Sequence, residues 1–414
     1  MERGQPKIVG KGKSTMIRRV SHSLKFATSK KKEKLDSFFD EYARLVNAFI
    51  QLYWDQKSLP SRADSEVYSQ IDSWLMGKAR KCAVNQATKI IKSTRKKDRQ
   101  LTYKAYQKVY SRAKKRNKDI PLVNQRWGEW SKEKTFRHRL NMPFFKGFSI
   151  DLNSDLVRIQ EPKKSTFFDL WIRLGSIFGN HYSLILPTKH HKVSRRLKNK
   201  GWKQKSSLTL RKTTKGYFAD VYWKKPKEAI VKTGSQIGVD IGIQKLLTLS
   251  DGQKLGKGLR SKLDKLNRRK QHSHNWDQTV QEIKDYIGYS TNRIPWNKLS
   301  VVVMEDIKNI TKNTKGRVNK TVRKLLGHWN IDLIYRRMVE KAAENRVQLA
   351  FVNPAYSSQT CFSCKIVNKK SRTKEKFKCK DCGYADDADH NSSMNILQKF
   401  LDGHFTVARS IKRM

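Results

Sequence analysis

Apolar residues recur at three- and four-residue steps near the start of this chain, and they predict a long amphipathic helix over residues 35–53. A loosely alternating stretch from Thr15 to Phe26 precedes it and predicts one strand. Two further helices are predicted over 65–95 and 101–116. The tyrosines of the last helix share one face, which favours core packing over base stacking; they are Tyr103, Tyr106 and Tyr110.

The pattern changes to short β-type runs between about residues 140 and 232. Two alternating segments around Gly216 predict a hairpin, and the basic stretch 189–205 before it is interpreted as a loop. From residue 233 onward, the segments IGVDIG, SVVVMED and QLAFVNP are typical of strands. A helix is predicted over 323–346, and another begins near Asn391.

The charge of the chain is far from balanced. Ninety Lys and Arg residues face 36 Asp and Glu residues among 414, which gives a formal net charge of +54. A compact protein with this excess repels itself unless a polyanion neutralises it, and nucleic acid is the predicted polyanion. An anionic membrane surface is the weaker alternative, because no run of about 18 apolar residues is present and the basic start lacks the apolar stretch of a signal peptide.

Three acidic residues stand where regular elements would hold them rigidly. Glu305 lies at the C-terminal end of the strand predicted in SVVVMED, where α/β sheets usually carry ligand sites, and Asp389 lies near the start of the last predicted helix. Phosphodiester hydrolysis with two divalent ions needs carboxylates fixed in this way. In IGVDIG, strand alternation places Asp240 opposite three apolar residues, which are Ile237, Val239 and Ile241.

Each of these acids also has an ordinary structural explanation. A single Asp in a strand is often a turn or edge residue, and Glu305 could simply end its strand. Near the last helix, Asp386, Asp387 and Asp389 are all candidate N-caps. Taken together, in a chain with few acids and a large positive charge, the three favour a metal site over these alternatives.

Four of the five cysteines form two CxxC pairs. Cys361 and Cys364 are separated from Cys379 and Cys382 by 14 residues, a spacing that fits one tetrahedral zinc ion. Four thiolates close the coordination shell, so the predicted role is structural. Disulfide bonds are the alternative, but the clustering indicates a reducing cytoplasm. Cys82 is predicted to be a packing residue in a helix.

The order of these motifs resembles that of TnpB-type nucleases and of the compact type V CRISPR effectors derived from them. The matching segments lie within residues 233–400: IGVDIGIQKLLTLSDG, VVVMEDIKNI, VNPAYSSQTCFSC and CKDCGYADDADHNSSMNI. The resemblance implies an α+β multidomain protein with an RNase H-like (RuvC) α/β nuclease domain, an inserted four-cysteine zinc ribbon, a β-rich wedge domain and a helical recognition lobe. The chain departs from the family pattern in having Lys365 instead of glycine after the first CxxC pair, and Met394 where an arginine is common.

The domain order implied by the resemblance follows the changes of pattern along the chain. It comprises a disordered basic tail (1–14), the first wedge strand (15–32), the helical recognition lobe (33–135), the wedge continuation (136–232), the RuvC-like segment with the first two acids (233–355), the zinc ribbon that binds target nucleic acid (356–386), and the RuvC-like segment with the third acid and C-terminal tail (387–414).

The resemblance further implies a metal-dependent endonuclease that binds a guide RNA, reads a short flanking DNA motif and cuts matched target DNA. Asp240, Glu305 and Asp389 would be the catalytic acids that hold two Mg²⁺ ions, with Asp387 as an auxiliary ligand. One Zn²⁺ would occupy the four cysteines. A cytoplasmic protein without a membrane partner is expected, with one protein per guide RNA and a dimer as the alternative.

Basic residues outside the motifs are candidates for contact with phosphates, although a merely solvated helix face is an equal alternative for those on the third predicted helix. The candidates are Lys104, Lys108, Arg112, Lys115, Arg195, Arg196, Lys369, Lys370 and Arg372. Two other functions stay open: an RNA-guided DNA-binding repressor that does not cut, and a transposon-encoded protein that joins DNA ends. The cysteine quartet before the third acid favours the nuclease over the latter.

Overall fold

The computed structural model describes residues 15–115, 140–161, 167–178, 182–307 and 330–407. The chain divides into two compact units, one spanning Ile17–Lys225 and the other Pro226–Met414 together with Met1–Met16. Each has its own apolar core. Among the described helices, none is both long and apolar enough to cross a membrane.

Three helices dominate the first half of the unit Ile17–Lys225. The predicted amphipathic helix is confirmed as α1 (Ser29–Trp54), whose apolar face is buried. The predicted helices over 65–95 and 101–116 are wrong in their bounds, because the structure has a single turn, α2 (Ser65–Tyr68), and then one long helix, α3 (Gly77–Lys115). No Gly or Pro interrupts α3 after its first residue, and its Lys, Arg and Gln residues are good helix formers.

Two sheets complete this unit, and the pairs β2–β6, β6–β7, β3–β4 and β4–β5 within them are antiparallel. One has the strand order β1-β7-β6-β2 and the other β3-β4-β5. The predicted hairpin is confirmed by the pairing of β6 with β7. The strands are β1 (Thr15–Ser23), β2 (Ser149–Leu152), β3 (Val157–Gln160), β4 (Leu170–Phe178), β5 (Tyr182–Thr188), β6 (Lys203–Thr213) and β7 (Gly216–Pro226).

The basic stretch before the hairpin is not a loop as predicted, because it contains the helix α4 (Lys192–Asn199). His191 caps α4 by accepting a hydrogen bond from the amide of Val193 at 3.2 Å. Cys82 is buried in α3, as predicted. The prediction that Tyr103 packs in a core is wrong, since 49% of its surface is exposed, while the side chains of Tyr106 and Tyr110 lie outside the described residues.

A six-stranded sheet of order β10-β9-β8-β11-β12-β16 organises the second unit. Its central strands β8, β11 and β12 run parallel, so their carboxyl ends meet at one edge. The strands are β8 (Ser235–Ile241), β9 (Leu247–Leu249), β10 (Lys254–Leu255), β11 (Leu299–Glu305), β12 (Gln348–Val352) and β16 (Thr406–Val407). The predicted strands in IGVDIG, SVVVMED and QLAFVNP are therefore confirmed.

Helices cover both faces of this sheet. Strand residues such as Val239, Val302 and Met304 pack with α5 (Leu259–Asn267), α6 (His274–Asn292) and α7 (Ile331–Glu344) on one face. On the other face, Val301 and Val303 pack against Ile396 of α8, which spans Ala388–Leu401. Thus α8 begins three residues before the predicted Asn391. Of the predicted helix 323–346, the structure shows the part that forms α7, and residues 323–329 lie outside the described residues.

A small three-stranded sheet, β13-β14-β15, lies between β12 and α8 in sequence and carries the second cysteine pair beside it. Its strands are β13 (Arg372–Thr373), β14 (Lys376–Lys378) and β15 (Ala385–Asp387). With two compact units that combine helices and sheets, the predicted multidomain α+β class is confirmed.

Candidate metal centres

The four cysteines predicted to share one metal lie together. Their sulfur atoms all fall within 4.8 Å of one another, and the Sγ atoms of Cys361 and Cys382, like those of Cys364 and Cys379, are 3.6 Å apart. Tetrahedral zinc with sulfur at about 2.3 Å requires sulfur–sulfur spacings of this size. All five cysteines of the chain are free thiols, so the cluster could hold a metal ion.

Each CxxC turn is closed by a residue with a left-handed backbone. In the second pair that residue is Gly383, at a φ of 78°, a conformation that glycine adopts without penalty. In the first pair, Lys365 takes the same conformation, at a φ of 63°. Its ammonium lies 4.0 Å from the ring centre of Phe362, a cation–π contact that offsets part of the backbone cost.

The three predicted acids converge on the α8 side of the large sheet. Parallel pairing aligns Met304 with Val239, so the next residues along the two strands, Glu305 and Asp240, are neighbours at the carboxyl edge. Asp240 shares its strand face with Gly238, two residues earlier. A Cβ placed on Gly238 would lie 2.1 Å from the carbonyl oxygen of Ser393 in α8. This face therefore points at the helix that carries Asp389 in its first turn.

The surroundings of Asp240 shift the pKa of its carboxyl group. Burial, followed by the nearby carboxylates of Glu305 and Asp389, raises the pKa of Asp240 to about 8. Burial also raises the pKa of Glu305, although Ser357, Lys399 and Arg372 oppose that rise. Carboxylates pushed together in this way hold a proton unless a cation takes its place. The arrangement is chemically suited to binding divalent cations through oxygen.

Two basic side chains pair with the carboxylate oxygens of the third acid, Asp389, in this structure. Arg372 of β13 donates to Asp389 Oδ1 at 2.9 Å, and the Lys245 ammonium lies 3.6 Å from Asp389 Oδ2. In the described part of the chain, only the cysteines form a group of three or more Cys, His, Asp or Glu ligand atoms within 4.8 Å of one another. The three carboxylates are thus near one another without closing on a single point.

Asp387, the predicted auxiliary ligand, acts as the N-cap of α8. Its Oδ1 accepts the amides of Asp389 and His390 at 3.1 and 3.2 Å, while Lys245 and Lys254 each donate to Oδ2 at 2.8 Å. Burial alone would raise the pKa of Asp387, but these hydrogen bonds outweigh burial and hold the pKa well below its usual range. Its oxygens are therefore already engaged, as the N-cap alternative predicted.

The basic residues predicted to contact phosphates differ in their exposure to solvent. Arg112, Arg196, Lys369 and Lys370 are exposed, and exposed Arg195 pairs with Asp169 at 3.3 Å. Arg372 is only half-buried and faces Asp389 instead of open solvent. The backbones of the remaining three lie in α3, and their side chains are outside the described residues: Lys104, Lys108 and Lys115.

Several residues that shape the acid site were not predicted from the sequence. Gly238 leaves room for the backbone of α8, Lys245 forms ion pairs with acids from different elements, and Lys399 opposes the rise that burial causes in the pKa of Glu305. The polar residues Asn391, Asn395 and Lys399 recur at four-residue intervals on α8. That spacing places the three side chains on one face of the helix. It is the one sequence signal that could have predicted a polar contact surface on α8.

Comparisons with known proteins support the predicted resemblance. Residues 334–396 match a family model described as Cas12f1-like, TNB domain. The chain is 31% identical over 208 residues to the putative RNA-guided DNA endonuclease InsQ of Escherichia coli (strain K12), a match that covers 42% of this chain and 51% of that protein. It is also 30% identical over 112 residues to the CRISPR-associated endodeoxyribonuclease Cas12f1 of Sulfoacidibacillus thermotolerans, covering 27% of this chain and 24% of that one.

The fold has a counterpart among solved structures. It is similar to the mini-RNA-guided endonuclease CRISPR-Cas_phi3, with a TM-score of 0.52, 10% sequence identity, and coverage of 93% of this chain and 92% of that one. The chain spans about half of the E. coli relative and about a quarter of the Cas12f1 protein. In sequence motifs and in fold, the resemblance to TnpB-type nucleases and compact type V effectors is confirmed.

Proposed function

We propose that this protein is an RNA-guided DNA endonuclease that hydrolyses phosphodiester bonds with three carboxylates and divalent metal. The observation that carries the proposal is the proximity of Asp240 and Glu305, at the carboxyl ends of two adjacent parallel strands, to Asp389 in the first turn of α8, with a four-thiol cluster in the segment between the second and third acids. The similarity to proteins named as RNA-guided DNA endonuclease and endodeoxyribonuclease supports it.

The donor set fits two Mg²⁺ ions held by these three acids, because Mg²⁺ prefers carboxylate oxygens on rigid elements and keeps several of its waters. Burial and then the nearby carboxylates of Glu305 and Asp389 raise the pKa of Asp240, and a bound cation would offset this repulsion between like charges. When bound, such ions activate a water and stabilise the leaving oxygen. The strands β8 and β11 and the helix α8 would hold these acids in position and direct them toward the substrate phosphate.

The four cysteines would hold one structural Zn²⁺, since their closed thiol shell leaves no position for a reacting water. We further propose the domain roles that the family resemblance implies: residues 356–386 as a ribbon for target nucleic acid, 33–135 as a recognition lobe, and 15–32 with 136–232 as a wedge. A charge of +54 suits neutralising both a guide RNA and a DNA duplex. One protein per guide RNA is proposed.

The test is a programmed cleavage assay. The protein is purified with its co-expressed RNA, that RNA is sequenced, and DNA that matches its variable segment is offered with Mg²⁺. We expect cleavage of matched DNA only, and none in EDTA. RNA-dependent binding without cleavage would instead support a repressor, and cleavage that needs no RNA would overturn guidance.

Metal analysis of the purified protein should find about one zinc per chain, because each structural site of this kind binds one ion. Inductively coupled plasma mass spectrometry on the dialysed protein measures the content. A Cys379→Ser variant should lose most of it, whereas Cys82→Ser, which changes a thiol buried in the other unit, should retain it. Equal zinc in both variants would contradict the assignment.

Gly383→Ala should weaken zinc retention by about 5- to 30-fold, since alanine in the left-handed region costs about 1–2 kcal/mol. No atom lies within 4 Å of the position that the new Cβ would occupy, so the effect comes from the backbone and not from a clash. Competition with a chromogenic chelator measures it. Gly175→Ala is the control, because its Cβ also meets open space but its φ is not positive.

A further inference from the structure

A cavity lined almost entirely by basic side chains lies within the unit Ile17–Lys225. Its volume is about 480 Å³, within the range of about 300–1,000 Å³ that is usual for ligand sites. Among the described residues that line it, one is apolar, four are basic and none is acidic. They are Leu59, Lys92, Arg95, Lys96 and Arg99.

The four cations come from one face of α3. They lie three or four residues apart along the helix, so their side chains project in the same direction. Two pairs of them are four residues apart, and like charges at that spacing repel one another and destabilise a helix. Elsewhere on α3 a cation has an acidic partner, since the Lys89 ammonium lies 3.4 Å from Asp151 Oδ2. The cavity therefore concentrates positive charge that no carboxylate of its lining offsets.

Arg95 is the least exposed of these cations and is held in place by α1. Its Nη2 donates to three carbonyl oxygens at the C-terminal end of that helix, at 3.2, 2.8 and 2.7 Å, which belong to Tyr53, Trp54 and Gln56. Its Nε is buried and has no hydrogen-bond partner among the described residues. Burial, followed by the charge of Arg99, lowers the pKa of Arg95, and the smaller effect of Asp55 opposes this. The guanidinium is thus fixed in a lining whose positive charge is not neutralised.

Phosphate is the ligand chemistry that this lining fits. Phosphate oxygens accept charge-assisted hydrogen bonds from ammonium and guanidinium groups, and their negative charge would relieve the repulsion among the four cations. We propose that the cavity is a phosphate site in which Lys92, Lys96 and Arg99 bind the backbone of the guide RNA or of the target DNA, while Arg95 anchors the site to α1. The inference rests on the proposed RNA-guided function.

A merely solvated basic face is the alternative. On such a face a lysine acts on nucleic acid only through the net charge of the chain, so any exposed lysine of α3 would contribute equally. Lys81 and Lys97 are exposed on α3 and do not line the cavity. Comparing them with Lys92 and Lys96, which are also exposed but do line it, separates a built site from general electrostatics.

The experiment compares two double variants that remove the same charge from the same helix. Lys92→Gln with Lys96→Gln changes the cavity, and Lys81→Gln with Lys97→Gln is the matched control. Glutamine is a good helix former, so α3 should be retained in both, and the thermal midpoint checks this. The probes are the co-purified RNA, transcribed in vitro and added to the RNA-free full-length protein, and matched duplex DNA, added to the protein–RNA complex in EDTA.

We expect the cavity variant to bind one of these probes about 10-fold or more weakly, the scale of losing a hydrogen bond between charged groups. The slope of log affinity against log salt concentration should fall by about one to two, because each phosphate contact releases counterions. The control should stay within about twofold of the wild type, as for ordinary surface substitutions. Ethylation interference then locates the contact: one or two phosphates whose ethylation weakens binding to the wild type should cease to do so in the cavity variant alone.

Each outcome has a distinct meaning. Weakened RNA binding assigns the site to the guide RNA, whereas unchanged RNA binding with weakened DNA binding assigns it to the target DNA. Losses of the same size in both double variants, or affinities and interference patterns like those of the wild type in both, overturn the phosphate site and leave the proposed function intact. A wild type that binds neither its co-purified RNA nor matched DNA overturns the proposed function itself.

Discussion

Replacing Asp240 with asparagine is expected to abolish DNA cleavage and, at the same time, to stabilise the metal-free protein. Cleavage should fall by more than about 100-fold, because Asp240 is a proposed direct metal ligand and its loss should exceed the usual cost of losing an outer-shell partner. Binding of guide RNA and of matched DNA should be unchanged. The opposite signs on activity and stability follow from the position of Asp240, whose carboxyl group is buried and lies close to the carboxylates of Glu305 and Asp389.

The stability gain has a defined pH dependence. The pKa of Asp240 is about 8 in the folded, metal-free protein, against an ordinary value of 3.8. Between these values the folded state binds one proton that the unfolded state does not. Unfolding free energy therefore falls as pH rises through this range, by up to about 1.4 kcal/mol per pH unit. Asparagine cannot ionise, so the variant should lose this contribution to the slope.

Chemical denaturation from pH 5 to 8 in EDTA, followed by circular dichroism, checks this expectation, with added Zn²⁺ kept out of both samples. Asp285→Asn, which alters an exposed acid on α6, is the control and should leave both slope and cleavage as in the wild type. Parallel slopes for wild type and Asp240→Asn would contradict the burial of a protonated carboxyl, and retained cleavage would overturn its catalytic role.

Gly238→Ala is expected to destabilise the second unit by about 3 kcal/mol or more, at the upper end of overpacking effects. The added Cβ would lie 2.1 Å from the carbonyl oxygen of Ser393 and 2.8 Å from the amide of Leu397. Both neighbours are backbone atoms, so no side-chain rotation relieves the contact. The helix α8 must move away from β8, and Asp389 moves with it.

Cleavage should therefore be lost even at a temperature where the variant remains folded. Gly288→Ala is the matched control, since its Cβ would meet only Arg337 at 3.8 Å within a helix, where alanine is favoured by about 0.5–1 kcal/mol. Differential scanning calorimetry and the cleavage assay together measure both variants. A Gly238→Ala protein as stable and active as the wild type would show that α8 does not rest on this strand.

Strong apolar periodicity was sufficient to predict α1, the hairpin of β6 and β7, and the strands that present Asp240 and Glu305. The cysteine spacing likewise predicted a compact four-thiol cluster. The basic segments were predicted less well. The helix α3 continues through the lysines and arginines at the end of the predicted helix 65–95, because long basic side chains sustain a helix. In α4 only Val193 and Leu197 indicate a helical period.

The remaining features depend on contacts between residues far apart in the sequence. Nothing near Gly238 indicates that the backbone of Ser393 will reach it. The residues around Lys245 do not indicate that its ammonium will donate a hydrogen bond to Asp387, which is 142 residues away in the sequence. The hydrogen bond from Lys399 to Ser357 likewise joins α8 to a segment 42 residues earlier in the chain. Local patterns specify elements and candidate ligands, whereas the positions of the supporting groups emerge only from tertiary packing.

The contact of α8 with Gly238 also determines when, during synthesis of the chain, the three acids can come together. Ribosomes deliver a chain from its N-terminus, and domains generally fold in that order. Asp240 and Glu305 emerge early, but they cannot meet Asp389 until α8 has been synthesised and packed against β8. A nascent chain therefore has no complete set of these carboxylates, and the proposed metal site can form only after the whole unit Ile17–Lys225 has been synthesised.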